Sequence, residues 1–580
     1  MFVHIFLFRF NRADAHWGVA NILIELRNQK INGILFDQPR RIVDPKDILC
    51  LINQILKKVL CLIIPVCLLF SACNWFKTTP EVGQLLSRHF HNKLYNDFDT
   101  AAYNVVFNRH FDSLKNQLSH PKVIGKYYAD NERRTSMISR NYVNGTLDTL
   151  SALIASSKAE GFNPEIFDAR RLKALLTAFS ENHFRSIAEA YPVIADLELT
   201  AASSLLKYHT FMAYGAINPR KLLNRYYVNT LRPDDSSLFQ VLENRKLLTL
   251  LHDIQPKSVN YAALKNALAR LSSQPGTNAA AIQTIEVNME RERWKITGIG
   301  AEYVEVNIPD FSLTWFNKAD TVIHMKVCVG GRREQTYEEK MKTYLRTHQL
   351  DDKPKNHQTP VLLSKFTAIQ VNPVWNIPVS IAQSEIYHQA SRDPYYLSNN
   401  NMKVYYKGQP VSDPDTIQWS KYSREHLPFQ FKQGSGEGNA LGKFKFIFDN
   451  SSSIYLHDTN NKSAFSRSNR AISHGCVRVE RPLDFAEKLV NDKYQFDQLR
   501  MEVNLPPLDT AKMNGFRKRL ARKADTTDTY QVKPKWFGTK KNIPIFINYR
   551  TAWAQNGKIE YRDDIYDLDK AVFKAMKKFR

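Results

Sequence analysis

The spacing of apolar residues changes near residue 300, and this change constrains the fold more than any other feature. Before it, segments such as 147–154 and 264–271 place apolar residues three and four positions apart, as amphipathic helices do. After it, residues 302–308 and 311–315 alternate apolar and polar side chains, as strands do. The sequence therefore predicts an α+β chain, with a helical N-terminal domain followed by a sheet-rich domain.

Length and charge narrow the class of protein. A chain of 580 residues is too long for one ordinary core. Its 43% hydrophobic and 24% charged residues exclude a mainly disordered, collagen-like or multi-spanning chain. The net charge of +24 suits an anionic partner, but we find no zinc-finger spacing, Walker loop or RNA-binding aromatic motif. The sequence therefore favours a globular protein that does not bind nucleic acid.

A candidate export signal lies at 57–73. Lys57 and Lys58 precede an apolar run at 59–72, which is shorter than the ~20 residues of a membrane-spanning helix. The run ends at Cys73, and 69–73 resembles a bacterial lipobox, in which the cysteine carries the lipid. We therefore predict a lipoprotein-type signal peptide that places the chain outside the cytoplasm. A buried core helix with an incidental cysteine is the alternative.

The residues upstream of this signal, 1–56, are predicted to be an over-long start or an extension. If they are a genuine cytosolic extension, the apolar run becomes an anchor.

Two of the six cysteines would remain free in the mature chain, Cys328 and Cys476, so no disulfide framework is predicted. Cys328 lies in an alternating strand pattern and is expected to be a small buried hydrophobe. An unpaired cysteine in an exported protein suggests a chemical role for Cys476.

The sheet-rich half contains one long irregular stretch. Residues 380–432 are polar and rich in tyrosine, and long insertions of this kind are often lids or binding loops. We predict a cap there, whose tyrosines form its core or contact a sugar or peptide. The predicted domains are a scaffold at 74–298, a catalytic domain at 299–505 and, at 506–580, a linker and extension packing on it.

The segment 473–478, Ser-His-Gly-Cys-Val-Arg, carries the chemistry. A strand-to-helix turn at Gly475 would expose the thiol of Cys476 and direct nearby backbone N–H groups toward an oxyanion. His457 ends a preceding strand, 15 residues before Ser473, and can serve as the base that a thiol requires. Arg478 offers a positive fork suited to a substrate carboxylate.

This pattern closely resembles the L,D-transpeptidases of the YkuD type, whose signature is a histidine, 14 to 17 residues, and then Ser/Thr-His-Gly-Cys. The resemblance implies that Cys476 is the nucleophile and His457 the proton donor and acceptor. It also implies that His474 and Gly475 shape the pocket and the oxyanion hole. Arg478 stands where some members have asparagine.

A wider resemblance covers most of the chain. The segments that carry it are 161–164, 218–220, 359–360, 372–378, 438–442 and 549–553. They are similar to the large YcbB-like branch, in which a helical scaffold precedes a mixed β-sandwich catalytic domain with an inserted mobile cap. That branch usually carries a peptidoglycan-binding module in the scaffold, whereas only a short loop at 272–279 occupies the expected place here.

The resemblance implies peptidoglycan cross-linking through a cysteine thioester on a tetrapeptide stem, which the amine of an acceptor stem resolves. It also implies trapping by carbapenems, no cofactor or metal, and a periplasmic, membrane-anchored place in a Gram-negative-type envelope. Two alternatives stay open at this point: an L,D-carboxypeptidase that hydrolyses the same bond, and a catalytically silent wall-binding scaffold.

Several site residues also have structural interpretations. Ser473 suits a turn hydroxyl as well as a catalytic group. Arg478 can pair with Glu480 instead of substrate. Trp375 and Asn439 are predicted to line the substrate channel, with packing or turn formation as the alternative. A zinc site built from His457, His474 and Cys476 lacks the usual paired cysteines.

Overall fold

We analysed a computed structural model of the chain. It describes residues 79–580, except for 275, 277, 319, 525–531 and 541. The predicted signal at 57–73, including Cys73, lies outside the described residues. Residues 525–531, which belong to the predicted C-terminal linker, also lie outside them. Among the helices that are described, none is long and apolar enough to cross a membrane.

The helices are concentrated before residue 294, as the apolar spacing predicts. The α-helices of the described residues are α1 Glu81–Phe90, α2 Thr100–Leu114, α3 Pro121–Tyr127, α4 Ser136–Asn141, α5 Thr146–Ala155, α6 Ala169–Glu181, α7 Ile187–Tyr214, α8 Pro219–Leu222, α9 Asp235–Glu243, α10 Leu247–Asp253, α11 Val259–Ser272, α12 Ala279–Arg293, α13 Tyr337–Thr347, α14 Val379–Ile381, α15 Tyr387–Ala390, α16 Tyr396–Asn399, α17 Pro482–Leu489, α18 Lys493–Glu502, α19 Met513–Ala524 and α20 Leu568–Met576.

Helix α7 forms the centre of the scaffold. Most of its side chains are buried, and α2 and α6 pack along it. Its Glu198 is fully buried, but the carboxylate accepts hydrogen bonds from the backbone N–H groups of Met137 and Ile138 and from the Tyr128 hydroxyl. These donors offset part of the cost of burying a charged group.

Apart from the two-residue β1, the strands of the described residues lie in the second half of the chain. They are β1 Tyr226–Tyr227, β2 Glu302–Asn307, β3 Ser312–Asn317, β4 Asp320–Gly330, β5 Val361–Val371, β6 Trp375–Asn376, β7 Met402–Tyr406, β8 Gln409–Pro410, β9 Phe429–Gln433, β10 Phe444–Phe448, β11 Leu456–His457, β12 Ala471–Ser473, β13 Val477–Val479, β14 Lys535–Gly538, β15 Pro544–Asn548, β16 Ala552–Gln555 and β17 Lys558–Tyr561.

The main sheet is mixed and closed. Its order is β5-β10-β11-β13-β4-β3-β2-β15, and β15 also pairs with β5, so the path returns to its first strand. Parallel pairs join β11 to β13 and β15 to β2, while the remaining neighbours in this ring are antiparallel. The interior is apolar, with Trp315 and Phe446 packed edge-on against Phe485 of α17. The predicted β-sandwich is therefore a closed sheet, because its last strand, β15, pairs with its first, β5.

The strands of this sheet come from more than one of the predicted domains. The C-terminal segment was expected to pack on the catalytic domain, and instead it contributes β14 and β15 to the sheet itself. From the scaffold side, β1 pairs with β5. The Arg291 guanidinium of α12 lies 2.6 Å from the Asp569 carboxylate of α20. The scaffold helices, the main sheet and the C-terminal segment therefore contact one another directly.

The cap is more regular than the sequence predicts. Strands β6, β9, β7 and β8 form a separate four-stranded sheet in that order. Its apolar core contains Trp419, Phe431 and Leu397 among others. The strands are at most five residues long, too short for their alternation to stand out in the sequence. A π-helical turn at Ala382–Ile386 lies between α14 and α15.

Candidate active site

The cysteine motif forms a tight connection between two strands. Strand β12 ends at Ser473 and β13 begins at Val477, and both strands pair with β4. The prediction of a strand-to-helix turn is therefore wrong, because 477–479 is a β-branched, alternating segment that finds partners on both sides. The following helix α17 begins only at Pro482. This connection presents the thiol of Cys476 at the start of a central strand.

Ser473 and Gly475 build the turn. The Ser473 hydroxyl donates to the Cys476 carbonyl at 2.5 Å and accepts from the Gly475 N–H at 3.1 Å. Ser473 is thereby placed as a turn hydroxyl and not as a catalytic group. Gly475 has φ +123°, a region that favours glycine, and a Cβ there would lie 3.3 Å from Ile454 Cδ1. Its N–H is already bonded, so it does not supply the predicted oxyanion donor.

The thiol of Cys476 interacts chiefly with Tyr455. Burial raises the pKa of the thiol, and the backbone N–H and hydroxyl of Tyr455 oppose that increase, followed by the charges of Lys445 and Arg478. The sulfur also lies 4.0 Å from the Ser453 carbonyl oxygen. The thiol is therefore protonated at rest, in surroundings that stabilise a thiolate once it forms.

His457 carries a buried, neutral imidazole. It lies on β11, directly across from Arg478 of the parallel strand β13. Its Nδ1 contacts the Asp458 carbonyl, which can only accept, so Nδ1 carries the proton and Nε2 has a free lone pair. Burial, reinforced by the charge of Arg478, lowers the pKa of the imidazole to about 3. No hydrogen bond joins this ring to Cys476 within the described structure, so the base role stays a prediction.

Arg478 is available for a ligand. Its buried Nε atom has no hydrogen-bond partner among the described residues. The alternative partner, Glu480, instead accepts a hydrogen bond from the Lys326 N–H. A buried guanidinium donor without an acceptor fits the carboxylate-binding role that the sequence predicts.

His474 points toward the cap and not toward the thiol-stabilising tyrosine. Its Nε2 lies 2.5 Å from Glu385 Oε1 in the π-helical turn of the cap. Its ring also packs against the ring of His357, with centroids 4.5 Å apart. The structure thus connects the cysteine motif to the cap through this histidine.

The two predicted channel residues have different places. Trp375 begins the cap at β6, and its indole interacts with the Tyr455 hydroxyl, one contact away from Cys476. Asn439 is 1% exposed, and its amide nitrogen donates to the carbonyls of Pro373 and Gly434. Its Oδ1 accepts from the Leu441 N–H. Asn439 therefore holds the loop after the cap and has no free group for a substrate.

Cys328 lies within β4 and is fully buried, as predicted, and burial raises the pKa of its thiol. Among the described residues, no three His, Cys, Asp or Glu side chains are arranged to hold a metal ion.

Sequence reasoning missed three residues of this site: Tyr455, Lys445 and Glu385. Tyr455 shares a strand face with His457, since it lies two positions earlier, and that spacing could have indicated it. Lys445 lies opposite His457 on β10, with its ammonium 4.0 Å from the centre of the Tyr455 ring. Glu385 lies 89 residues from its partner, and no local pattern marks it.

Comparison with known proteins finds two family models that match parts of this chain. The family model described as YkuD, L,D-transpeptidase catalytic domain, matches residues 301–500, and that described as Scaffold domain matches 122–268. A curated Haemophilus influenzae protein, provisionally named as an L,D-transpeptidase, is 26% identical over 331 residues. The match spans 57% of this chain and 57% of that protein.

A solved structure titled as the Ldtfm–avibactam carbamoyl enzyme shows 10% identity, covering 43% of this chain and 49% of its own, with a TM-score of 0.15. The classification rests on the two family models and on the curated relative. The fold is a helical scaffold joined to a mixed-sheet domain that carries the cysteine motif. The chain combines the YkuD L,D-transpeptidase catalytic domain with the Scaffold domain, the YcbB-like architecture.

Proposed function

We propose that this protein is a peptidoglycan L,D-transpeptidase, with Cys476 as the nucleophile and His457 as the base. One observation carries the proposal: a buried, neutral imidazole with its Nε2 lone pair free lies on the strand next to the one that Cys476 begins. A neutral base beside a protonated thiol is the resting state that general-base activation requires.

In the first step, the thiol proton passes to Nε2 of His457 and the sulfur forms a bond to the carbonyl carbon of the donor stem. The carbon–nitrogen bond to the terminal D-alanine then breaks, and the imidazolium returns its proton to the leaving amine. The products are D-alanine and a thioester on Cys476.

Two groups of the protein suit this step. The N–H of Cys476 has no acceptor within the described structure, and with the Gly475 N–H occupied it becomes the motif's backbone donor for the oxyanion. The unpartnered Nε of Arg478 suits a carboxylate of the donor stem.

In the second step, the acceptor amine attacks the thioester, the carbon–sulfur bond breaks, and the thiol is restored. Incubation of the pure protein with a defined tetrapeptide stem, followed by mass spectrometry, tests the scheme. We expect cross-linked dimer, a thioester on the wild-type protein, and neither product with Cys476→Ser.

The same experiment distinguishes the alternatives. Shortened stem without dimer would identify an L,D-carboxypeptidase, because water would then have resolved the thioester. Absence of any thioester under conditions in which the protein is folded would favour a silent wall-binding scaffold.

We also propose that the mature protein is attached through a lipid on Cys73 to the periplasmic side of a membrane, where its substrate lies. The order of charged, apolar and small residues before Cys73 supports this. Cys73→Ala should abolish fatty-acid labelling and membrane retention. A variant that stays in the membrane fraction, with no label on the wild type, would contradict the lipid anchor.

A further inference from the structure

The contact between Glu385 and His474 is the feature that the reaction scheme does not use. It joins the π-helical turn of the cap to the cysteine motif, with 2.5 Å between Oε1 and Nε2. The side chains are 47% and 36% exposed, so a solute can reach the pair. π-Helical turns occur frequently at functional sites. The contact therefore places an accessible carboxylate beside a residue two positions from the nucleophile.

The charge around this pair differs from the charge around the thiol. Lys445 and Arg478 are the charged groups that act on Cys476, and both are cationic. On the cap side, Glu385 stays ionised, because its bond to His474 lowers the pKa of its carboxyl. The thiol is therefore acted on by cations, whereas the cap side adds a carboxylate, whose pKa the nearby Lys355 also lowers.

The two substrates of a transpeptidase need that asymmetry. The donor stem carries carboxylates, which suit the cationic side. The acceptor is an alkyl amine, and such amines are protonated at neutral pH, with an ordinary pKa of about 10. An ammonium group needs an anionic partner to bind and must lose a proton before it can attack.

We propose that Glu385 and His474 form the subsite that binds the acceptor amine. This inference rests on the proposed transpeptidase function. The Glu385 carboxylate binds the ammonium, and the His474 imidazole takes one proton from it. The amine lone pair then forms the carbon–nitrogen bond, the carbon–sulfur bond breaks, and the second amine proton goes to the departing sulfur through His457. The thiol is restored, and His474 releases its proton to solvent.

Glu385→Gln tests the subsite, because it keeps the shape of the side chain and removes its charge. We expect the KM for the acceptor stem to rise roughly tenfold or more, the cost of losing one charge-assisted hydrogen bond. Formation of the thioester with the donor stem, and acylation by a carbapenem, should stay at the wild-type rate. Glu385→Asp should recover part of the loss.

A second nucleophile separates charge recognition from cap structure. Hydroxylamine is uncharged at neutral pH, so its reaction with the thioester should be equal in wild type and Glu385→Gln. Glu437→Gln is the matched control, since it removes a carboxylate that is 92% exposed in the loop after β9. It should leave every rate unchanged.

The outcomes are distinguishable. Wild-type protein that forms no thioester overturns the transpeptidase function itself. Wild-type protein that cross-links stems, together with a Glu385→Gln variant of unchanged acceptor KM, overturns only the subsite. A variant that loses acylation, or that slows with hydroxylamine as much as with the stem, shows a structural link between cap and motif and also overturns the subsite.

Discussion

The hydroxyl of Tyr455 should control how readily Cys476 ionises. Burial raises the pKa of this thiol, and the N–H and hydroxyl of Tyr455 are the first two groups that oppose the increase. Tyr455→Phe keeps the backbone and the ring and removes only the hydroxyl. We therefore expect the pKa of Cys476 to rise further and its acylation at neutral pH to slow.

The size of the effect follows from the charge of the Cys476 thiolate, which accepts the hydrogen bond from the Tyr455 hydroxyl. A hydrogen bond to a charged group contributes about 1.5–3 kcal/mol, and about 1.4 kcal/mol corresponds to a tenfold change in rate. Loss of about 2 kcal/mol of thiolate stabilisation predicts roughly 30-fold slower acylation. Trp375→Phe removes an indole that interacts with the Tyr455 hydroxyl, so its effect on the thiol is indirect and should be smaller, roughly threefold.

The assay is the rate at which a carbapenem adds to the protein, followed by intact-protein mass spectrometry from about pH 6 to about pH 10. The variant's profile should shift to higher pH, because a larger share of the thiol stays protonated at each pH. Tyr395→Phe is the control, since this cap tyrosine is 63% exposed. Equal rates and coincident pH profiles for Tyr455→Phe and wild type would refute the reasoning.

A carbapenem should add one covalent equivalent at Cys476 and none at the buried Cys328, as peptide mapping would show; an adduct on Cys328, or one that persists in Cys476→Ser, would contradict this. Gly475→Ala should slow acylation about tenfold or more, because φ +123° strains a side chain, whereas Gly408→Ala, at φ +84° in open space, should not. Burial raises the pKa of Glu198 from 4.5 to about 7, so the fold holds this proton more tightly than the unfolded chain does. The free energy of unfolding should therefore fall by up to ~3 kcal/mol as pH rises between these two pKa values. Glu198→Gln should flatten this pH dependence, as urea unfolding at a series of pH values would show. The same pH dependence in the variant and the wild type would contradict the assignment to Glu198.

The sequence predicts the longer regular elements and names the central candidate residues of the site. The apolar spacing predicts the helices α5 and α11 and the strands β2 and β3, because each repeats its apolar positions at a regular interval. The Ser-His-Gly-Cys motif and the preceding histidine identify Cys476 and His457 as candidates, because the chemistry of a thiol nucleophile requires these residue types.

Short elements and distant partners could not be predicted in the same way. The cap strands are too brief for a periodic signal, so the cap was expected to be irregular. Asn439 carries the same sequence pattern whether it lines a channel or holds a loop, and only its saturated hydrogen bonds distinguish the two. The segment after Gly475 forms the strand β13 because β4 and β11 lie on either side of it and pair with it.

By itself, the sequence determined the α+β class, the order of the helical and sheet-rich regions and the presence of the Ser-His-Gly-Cys motif, since these follow from local periodicity and from residue chemistry. Tertiary structure alone decided that the C-terminal β15 closes the sheet between β2 and β5. It also decided that Tyr455, Lys445 and Glu385 surround the motif. Pairing across a closed sheet joins residues far apart in the chain, and burial shifts a pKa only after that pairing has formed.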